Sequence, residues 1–157
     1  MLAADTGGLG ISTTLGGLLG TVGTRLGPTS WETMTQERVN QFAELTGDRN
    51  FLHVDPDRAR ETPFGSTIAH GFLSLSLLAP VALLLEVTDA DTIVNYGMNK
   101  VRFPSPLRVS SRFRGSAEII GASLIRGGAE VTMAAKLEVE GSDRPVVAAE
   151  CLFRFYS

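Results

Sequence analysis

The chain has 157 residues, enough for one ordinary domain with a real core and too few for two substantial ones. Hydrophobic residues at 43% and charged residues at 20% give the balance of a folded globular protein rather than a disordered one. With 14 basic against 17 acidic residues the formal net charge is -3, so neither nucleic acid nor an anionic membrane is an expected partner, and any anionic ligand needs a local cluster. The single cysteine, Cys151, supports neither a disulfide framework nor a cysteine-based zinc site and fits a reducing cytoplasm.

The stretch from Thr6 to Gly27 is rich in Gly, Leu and Thr. It does not read as an export signal or a membrane span, because Asp5 stands where a basic region is required and Gly16, Gly17, Gly20 and Gly23 interrupt the apolar run. No strand pattern precedes Gly7 to Gly10 and no acidic partner follows at the right distance, so these glycines are not a dinucleotide-binding fingerprint. Residues 1–28 are expected to form a weakly structured arm with a short helix near Leu15 to Val22.

A short extended segment from Ser30 to Met34 carries the only Trp, Trp31. Thr35 then has the character of a helix N-cap, Glu37 suits the positive end of the helix dipole, and Val39, Phe42 and Ala43 recur at helical spacing. Gly47 stands where a left-handed C-cap belongs, which predicts a helix over 36–46. A polar loop, residues 48–54, follows. Asp55 and Pro56 then have the N-cap and first-turn pattern of a second, short helix through Arg60, ended by Thr62-Pro63-Phe64-Gly65.

From Ile68 to Val87 the sequence is apolar almost all round, which predicts a helix buried inside the protein, kinked or split at Pro80. Everything after Thr92 reads as strand. Arg112, Arg114, Ser116 and Glu118 alternate with Phe113 and Ala117; Lys136, Glu138 and Glu140 alternate with Met133, Ala135, Leu137 and Val139. In the last segment Val147, Cys151, Phe153 and Phe155 alternate with Glu150 and Arg154. Turns fall at Gly127-Gly128 and Gly141-Ser142-Asp143. Three or four long antiparallel strands with one apolar face need a cover, and the buried helix supplies it. The expected class is α+β: a curved antiparallel sheet wrapped around a central apolar helix, the hotdog arrangement. Residues 29–157 form this unit once, without internal repeat.

The loop after the first helix sets Asp48 and His53 five positions apart, a carboxylate and an imidazole that can turn toward one cavity for proton transfer. An Asp after Gly is commonly only a turn former and an isolated His commonly a packed residue, and spacing alone favours that plainer reading. Only two histidines exist, however, so any proton transfer through imidazole draws on one of them. The other, His70, reads as a hydrogen-bonded core residue. Gly71 beside it opens the buried helix, where a bare N–H at the positive dipole end suits a developing oxyanion.

Two segments carry a resemblance: Phe42-Ala43-Glu44-Leu45-Thr46-Gly47-Asp48-Arg49-Asn50-Phe51-Leu52-His53-Val54-Asp55-Pro56, and Phe64-Gly65-Ser66-Thr67-Ile68-Ala69-His70-Gly71-Phe72. Together they resemble the hydratase motif of MaoC-like (R)-specific enoyl-CoA hydratases. The stretch Asn95-Tyr96-Gly97-Met98-Asn99-Lys100-Val101-Arg102-Phe103-Pro104 is similar to the strand after the central helix in actinobacterial single-hotdog members, so the resemblance spans roughly residues 29–157. It implies reversible syn hydration of a trans-2-enoyl thioester, on coenzyme A or a carrier protein, to the (R)-3-hydroxyacyl thioester. It also implies Asp48 and His53 as the catalytic pair, the Gly71 N–H as donor to the thioester carbonyl, Asn50 as a residue that orders the loop, no metal or cofactor, and a homodimer whose sheets join edge to edge.

Phe51 departs from the pattern, since many relatives have Pro there, and neither reacting group is lost by it. Ser74 and Ser76 are given no role, because either hydroxyl can bond a backbone carbonyl. Lys100, Arg102 and Arg108 are candidates to meet the phosphates of coenzyme A or of a phosphopantetheine arm, with a solvated strand face as the equal alternative. Arg49 and Arg58 form a second such cluster. Two competing functions remain open at this level, thioester hydrolysis and acyl-thioester binding without turnover, because a fold does not determine a function.

Overall fold

The structure is a computed structural model and describes residues 9–157. In chain order its elements are β1 (Ile11–Thr13), a 3-10 helix (Gly16–Thr21), β2 (Arg25–Leu26), β3 (Glu32–Thr33), α1 (Gln36–Thr46), α2 (Phe51–Val54), α3 (Pro56–Arg60), α4 (Gly71–Ser76), α5 (Ala79–Ala82) and β4 (Leu85–Val87). The four long strands β5 (Thr92–Arg102), β6 (Arg112–Ile125), β7 (Gly128–Val139) and β8 (Val147–Tyr156) complete the chain.

The main sheet is antiparallel, in the order β2-β6-β7-β8-β5, with β3 also on β6. Its period-two pattern sorts side chains as the sequence predicts: Phe113, Val131, Met133, Leu137, Val147 and Cys151 point into the core. On the outer face the charges pair across strands, Arg114 with Glu138 at 2.6 Å and Arg154 with Glu130 at 2.7 Å. Burial pushes the Glu138 carboxyl up, but the Arg114 and Lys136 hydrogen bonds and charges outweigh it and hold the group below its ordinary value. Register shifts within β6, between Ile119 and Gly121, and at two places in β5 mark bulges, which bend a strand and increase its twist.

α4 and α5 lie against the inner face, with Leu73, Leu78, Val81 and Ala82 in the same core as the strand residues. Gly115 on β6 is what lets α5 approach: a Cβ there would sit 2.5 Å from Val81 Cγ2. The helix expected over 68–87, kinked or split at Pro80, is split just before that residue, and only its extent is corrected. Regular helix covers only 71–76 and 79–82, and Leu85–Val87 is instead a strand parallel to β1. Pro80 has no N–H to continue the ladder, and the turn around it tightens to i→i+3 bonds, Leu78 N–H to Leu75 O (3.1 Å) and Val81 N–H to Leu78 O (3.0 Å). Nor is the segment covered on all sides within the chain, since Phe72 is 76% and Leu83 64% exposed.

The short helix expected near Leu15 to Val22 is present as the 3-10 helix, but the weak structure expected of the arm over residues 1–28 is corrected where it is described; residues 1–8 lie outside the described residues. Leu18 and Leu26 are fully buried, Ile11 N–H donates to Leu84 O (2.9 Å) and Gly23 N–H to Ile119 O (2.7 Å). Leu15, Leu18 and Thr21 recur every third residue, and a 3-10 helix with three residues per turn stacks them on one side, toward the core. The interrupting glycines fall on the other positions. Among the described residues no helix is long and apolar enough to cross a membrane.

Candidate active site

α1 takes its predicted bounds. The Thr35 hydroxyl accepts from Arg38 N–H at 3.2 Å, and Gly47 adopts φ 78°, a left-handed turn that its lack of a Cβ permits, with its N–H bonded to Ala43 O. This turn swings the chain off the helix directly at Asp48. The stretch read as a loop contains α2: the Asn50 side chain accepts from Leu52 N–H (3.1 Å) and caps that single turn, while Asp48 Oδ1 accepts from Asn50 N–H (3.3 Å). Asp55 then caps α3 through Arg58 N–H (3.1 Å), as its position before Pro56 predicts. The helical turn brings His53 back beside Asp48, with 4.0 Å between His53 Nε2 and Asp48 Oδ2.

The His53 ring is oriented from behind. Its Nδ1 lies 2.8 Å from Ile68 O, and a carbonyl only accepts, so Nδ1 carries a proton and the lone pair of the neutral ring is on Nε2, the nitrogen nearer Asp48. Ile68 is itself fixed by its own N–H to Leu52 O (3.0 Å), and its neighbours bond to the 107–109 segment, Ala69 N–H to Leu107 O (2.8 Å) and Val109 N–H to Thr67 O (3.0 Å). Gln36 on α1 adds a brace that the sequence reading missed: its amide donates to His53 O at 2.7 Å, and its carbonyl accepts from the Thr67 hydroxyl. A Gln in a first helical turn carries no signal of this, because both partners are distant in sequence.

His70 is buried and hydrogen-bonded, as expected of a core residue. Its ring stacks on that of His53 with centroids 3.8 Å apart and 27° between planes. One donor atom from each of Asp48, His53 and His70 lies within 4.8 Å of the others, a spacing that admits a cation. The two rings are stacked, and each keeps one nitrogen bonded to a carbonyl and leaves the other free. The same close grouping of a carboxylate and two imidazoles can serve proton transfer.

Gly71 follows at the start of α4, where its N–H has no acceptor within the helix. The Phe103 ring closes over it, 3.3 Å from where a Cβ would stand. Beyond it a groove of about 470 Å³ runs between the helical segment and the β5–β8 edge, lined by Phe72, Leu75, Leu83, Ile93, Met98 and Phe153. The buried Cys151 also lines it, and burial pushes its thiol up, away from the thiolate.

The three candidate phosphate ligands do not come together. Lys100 pairs with Glu150 at 2.9 Å, and with Arg102 it lines a separate groove on the outer face of the sheet, among Arg114, Lys136 and Glu138. Arg108, in contrast, is exposed on the segment that pairs with Ile68, next to the His53 anchor. In the second cluster Arg49 pairs with Glu44, and Arg58 stacks over the Phe51 ring, 4.1 Å from its centroid.

Residues 19–141 match the family model described as MaoC like domain. The chain is 44% identical over 140 residues to 3-hydroxyacyl-thioester dehydratase Z of Mycobacterium tuberculosis, covering 88% of this chain and 93% of that protein. It is 40% identical over 136 residues to nodulation protein N of Rhizobium leguminosarum bv. viciae, with 82% of each chain covered. Among solved structures it is similar to the unliganded R-hydratase PhaJ1 from Pseudomonas aeruginosa, at TM-score 0.71 and 25% identity, covering 87% of this chain and 82% of that one.

Proposed function

The chain belongs to the MaoC-like domain family, and on that premise we propose that it is an (R)-specific enoyl-thioester hydratase of the single-hotdog type. It adds water reversibly and syn across the double bond of a trans-2-enoyl thioester, giving the (R)-3-hydroxyacyl thioester, and runs as a dehydratase in reverse. The observation that carries this reading is the His53 tautomer. With Nδ1–H held by Ile68 O, the free Nε2 lone pair stands 4.0 Å from Asp48 Oδ2, too far for a direct hydrogen bond and close enough for one water to bond to both.

In the forward direction His53 Nε2 takes a proton from that water as its oxygen bonds to the β carbon, Asp48 as the carboxylic acid gives its proton to the α carbon on the same face, and the proton on His53 then passes to the Asp48 carboxylate. The two act as one coupled pair, which ends each turnover in its starting protonation. Negative charge that builds on the thioester oxygen is met by the Gly71 N–H, while Asn50 keeps the Asp48 loop in register through its cap. Neither a metal nor a cofactor has a step in this scheme. The acyl chain lies in the apolar groove beside α4, and Arg108 meets a phosphate of the coenzyme A or carrier-protein arm; Lys100 and Arg102, on the outer face, have no part in it.

The working unit is a homodimer in the cytoplasm. β5 ends the sheet with one edge unpaired among the described residues, and the exposed Phe72, Leu83, Ile93 and Tyr96 lie on or beside it, an apolar surface suited to a second copy joined edge to edge.

The test is spectroscopic. Enzyme added to crotonyl-CoA should bleach the conjugated enoyl-thioester absorbance and give (R)-3-hydroxybutyryl-CoA on chiral analysis. Asp48→Asn and His53→Gln should each lower kcat by about 10²–10⁴-fold, the usual worth of general acid–base catalysis. Full activity in either variant would remove that residue from the pair, and release of free thiol from the substrate would mark hydrolysis instead.

A further inference from the structure

His70 is 2% exposed, and the scheme above leaves it without a task. Its Nε2 stands 2.9 Å from the main-chain carbonyl of Asp48, an acceptor only, so Nε2 carries the proton of the neutral ring and donates it there. That is the one short hydrogen bond to the Asp48 main chain among the described residues; on the other side Asp48 N–H reaches the Thr46 hydroxyl at 3.4 Å. His70 Nδ1 is buried and has no hydrogen-bond partner among the described residues. The ring is held between His53, stacked at 3.8 Å, and Phe42, tilted with centroids 5.0 Å apart.

Packing alone does not account for a histidine here. A buried polar atom without a partner costs stability, whereas a Phe or Leu would fill the same space without one. What the imidazole adds is a donor to the main chain of one proposed reacting residue, Asp48, beside a ring face laid on the other, His53. The titratable groups that face it are those same two, Asp48 and His53.

We infer that His70 is a positioning residue for the hydration reaction, acting as the neutral Nε2–H imidazole: its donor fixes the Asp48 main chain and its face sets the plane of the His53 ring. The inference rests on the function proposed above. When His53 takes a proton from water it becomes a cation stacked on a neutral ring, whose face attracts positive charge. A second proton on His70 would instead place two cations 3.8 Å apart, and would sit on a buried Nδ1 with no acceptor among the described residues.

Because the chain has only two histidines, long-range proton–nitrogen NMR of the intact protein at pH 7 reads both rings, and the signal lost in His53→Gln assigns them. The expected His70 signal is a neutral ring with its proton on Nε2. A proton on Nδ1, or an imidazolium, overturns the inference even if no His70 variant folds. Kinetics supply the second arm. His70→Phe keeps the stacked ring and loses the donor, and should lower kcat on crotonyl-CoA by about 10- to 100-fold, in line with the effect of small misplacements of reacting groups. Its KM should stay within about threefold, since the acyl and phosphate contacts are elsewhere. His70→Gln returns an amide donor and should recover part of kcat. A folded His70→Phe enzyme with full kcat overturns the inference while leaving the hydratase reading intact. A wild-type protein without hydratase activity defeats that reading instead.

Discussion

The distance between sheet and central helix depends on a missing methyl group, and Gly115→Ala tests this quantitatively. An Ala Cβ at that position would sit 2.5 Å from Val81 Cγ2, against an ordinary carbon–carbon contact of about 3.5–4.0 Å, so the two must separate by about 1 Å. Val81 cannot swing away, because it is 1% exposed and a β-branched side chain is stiff about χ1. The strain therefore falls on α5 or on the rotamer, with a cost of about 1–3 kcal/mol, the usual range for overpacking. For a chain of this size that is a fall in Tm of roughly 2–12 °C. Val81→Ala alone removes two methyl groups and costs about 1.5 kcal/mol or more. In the double variant the new methyl occupies space that Val81 vacated, so the two losses should total less than their sum by about 1 kcal/mol. Thermal and urea unfolding of the four proteins measure the cycle. Strict additivity, or a Gly115→Ala protein as stable as the wild type, would refute the claim that this contact sets the helix-to-sheet spacing.

Sedimentation should show the wild type at twice the mass of one chain and Phe72→Asp as a folded monomer, since that ring is 76% exposed on the proposed dimer face; a monomeric wild type would contradict the edge-to-edge assembly. Thr35→Ala removes the acceptor for Arg38 N–H and should lower unfolding free energy by about 1 kcal/mol in urea titrations, and an unchanged midpoint would show the cap to be idle. Glu138 has a folded pKa below its ordinary value near 4.5, so its contribution is fully present above that pH and is lost as pH falls through the folded value. Glu138→Gln should therefore flatten the acid limb of a stability-against-pH curve below about pH 4.5, and an acid limb as steep as that of the wild type counts against the Arg114–Glu138 pair.

Much of this architecture was legible because its causes are local. Thr35 and Gly47 delimit α1, Asp55 and Pro56 start α3, and the alternation along β6, β7 and β8 sorts inner from outer face, since capping and the pleat act within a few residues. The motif around Asp48 and His53 was likewise visible as an ordered run of residue types. Other features needed the folded chain. The N-terminal glycines hid a three-residue spacing that only the core makes meaningful, and the apolar run after Ile68 did not reveal that its last residues would leave the helix to pair with β1. Hydrophobicity reports that a segment is buried, not which backbone hydrogen bonds it makes on the way.

The contrast is sharpest at the site itself. The sequence by itself determined which groups are available: one carboxylate, two imidazoles and a glycine at a helix start, in an order that resembles one family. Only the tertiary structure decided that Ile68 O holds the proton on His53 Nδ1, that His70 lies under the pair, and that Lys100 and Arg102 face away from it. The physical reason is that a proton's position and a side chain's direction depend on acceptors and neighbours brought in from distant parts of the chain, which no spacing along it encodes.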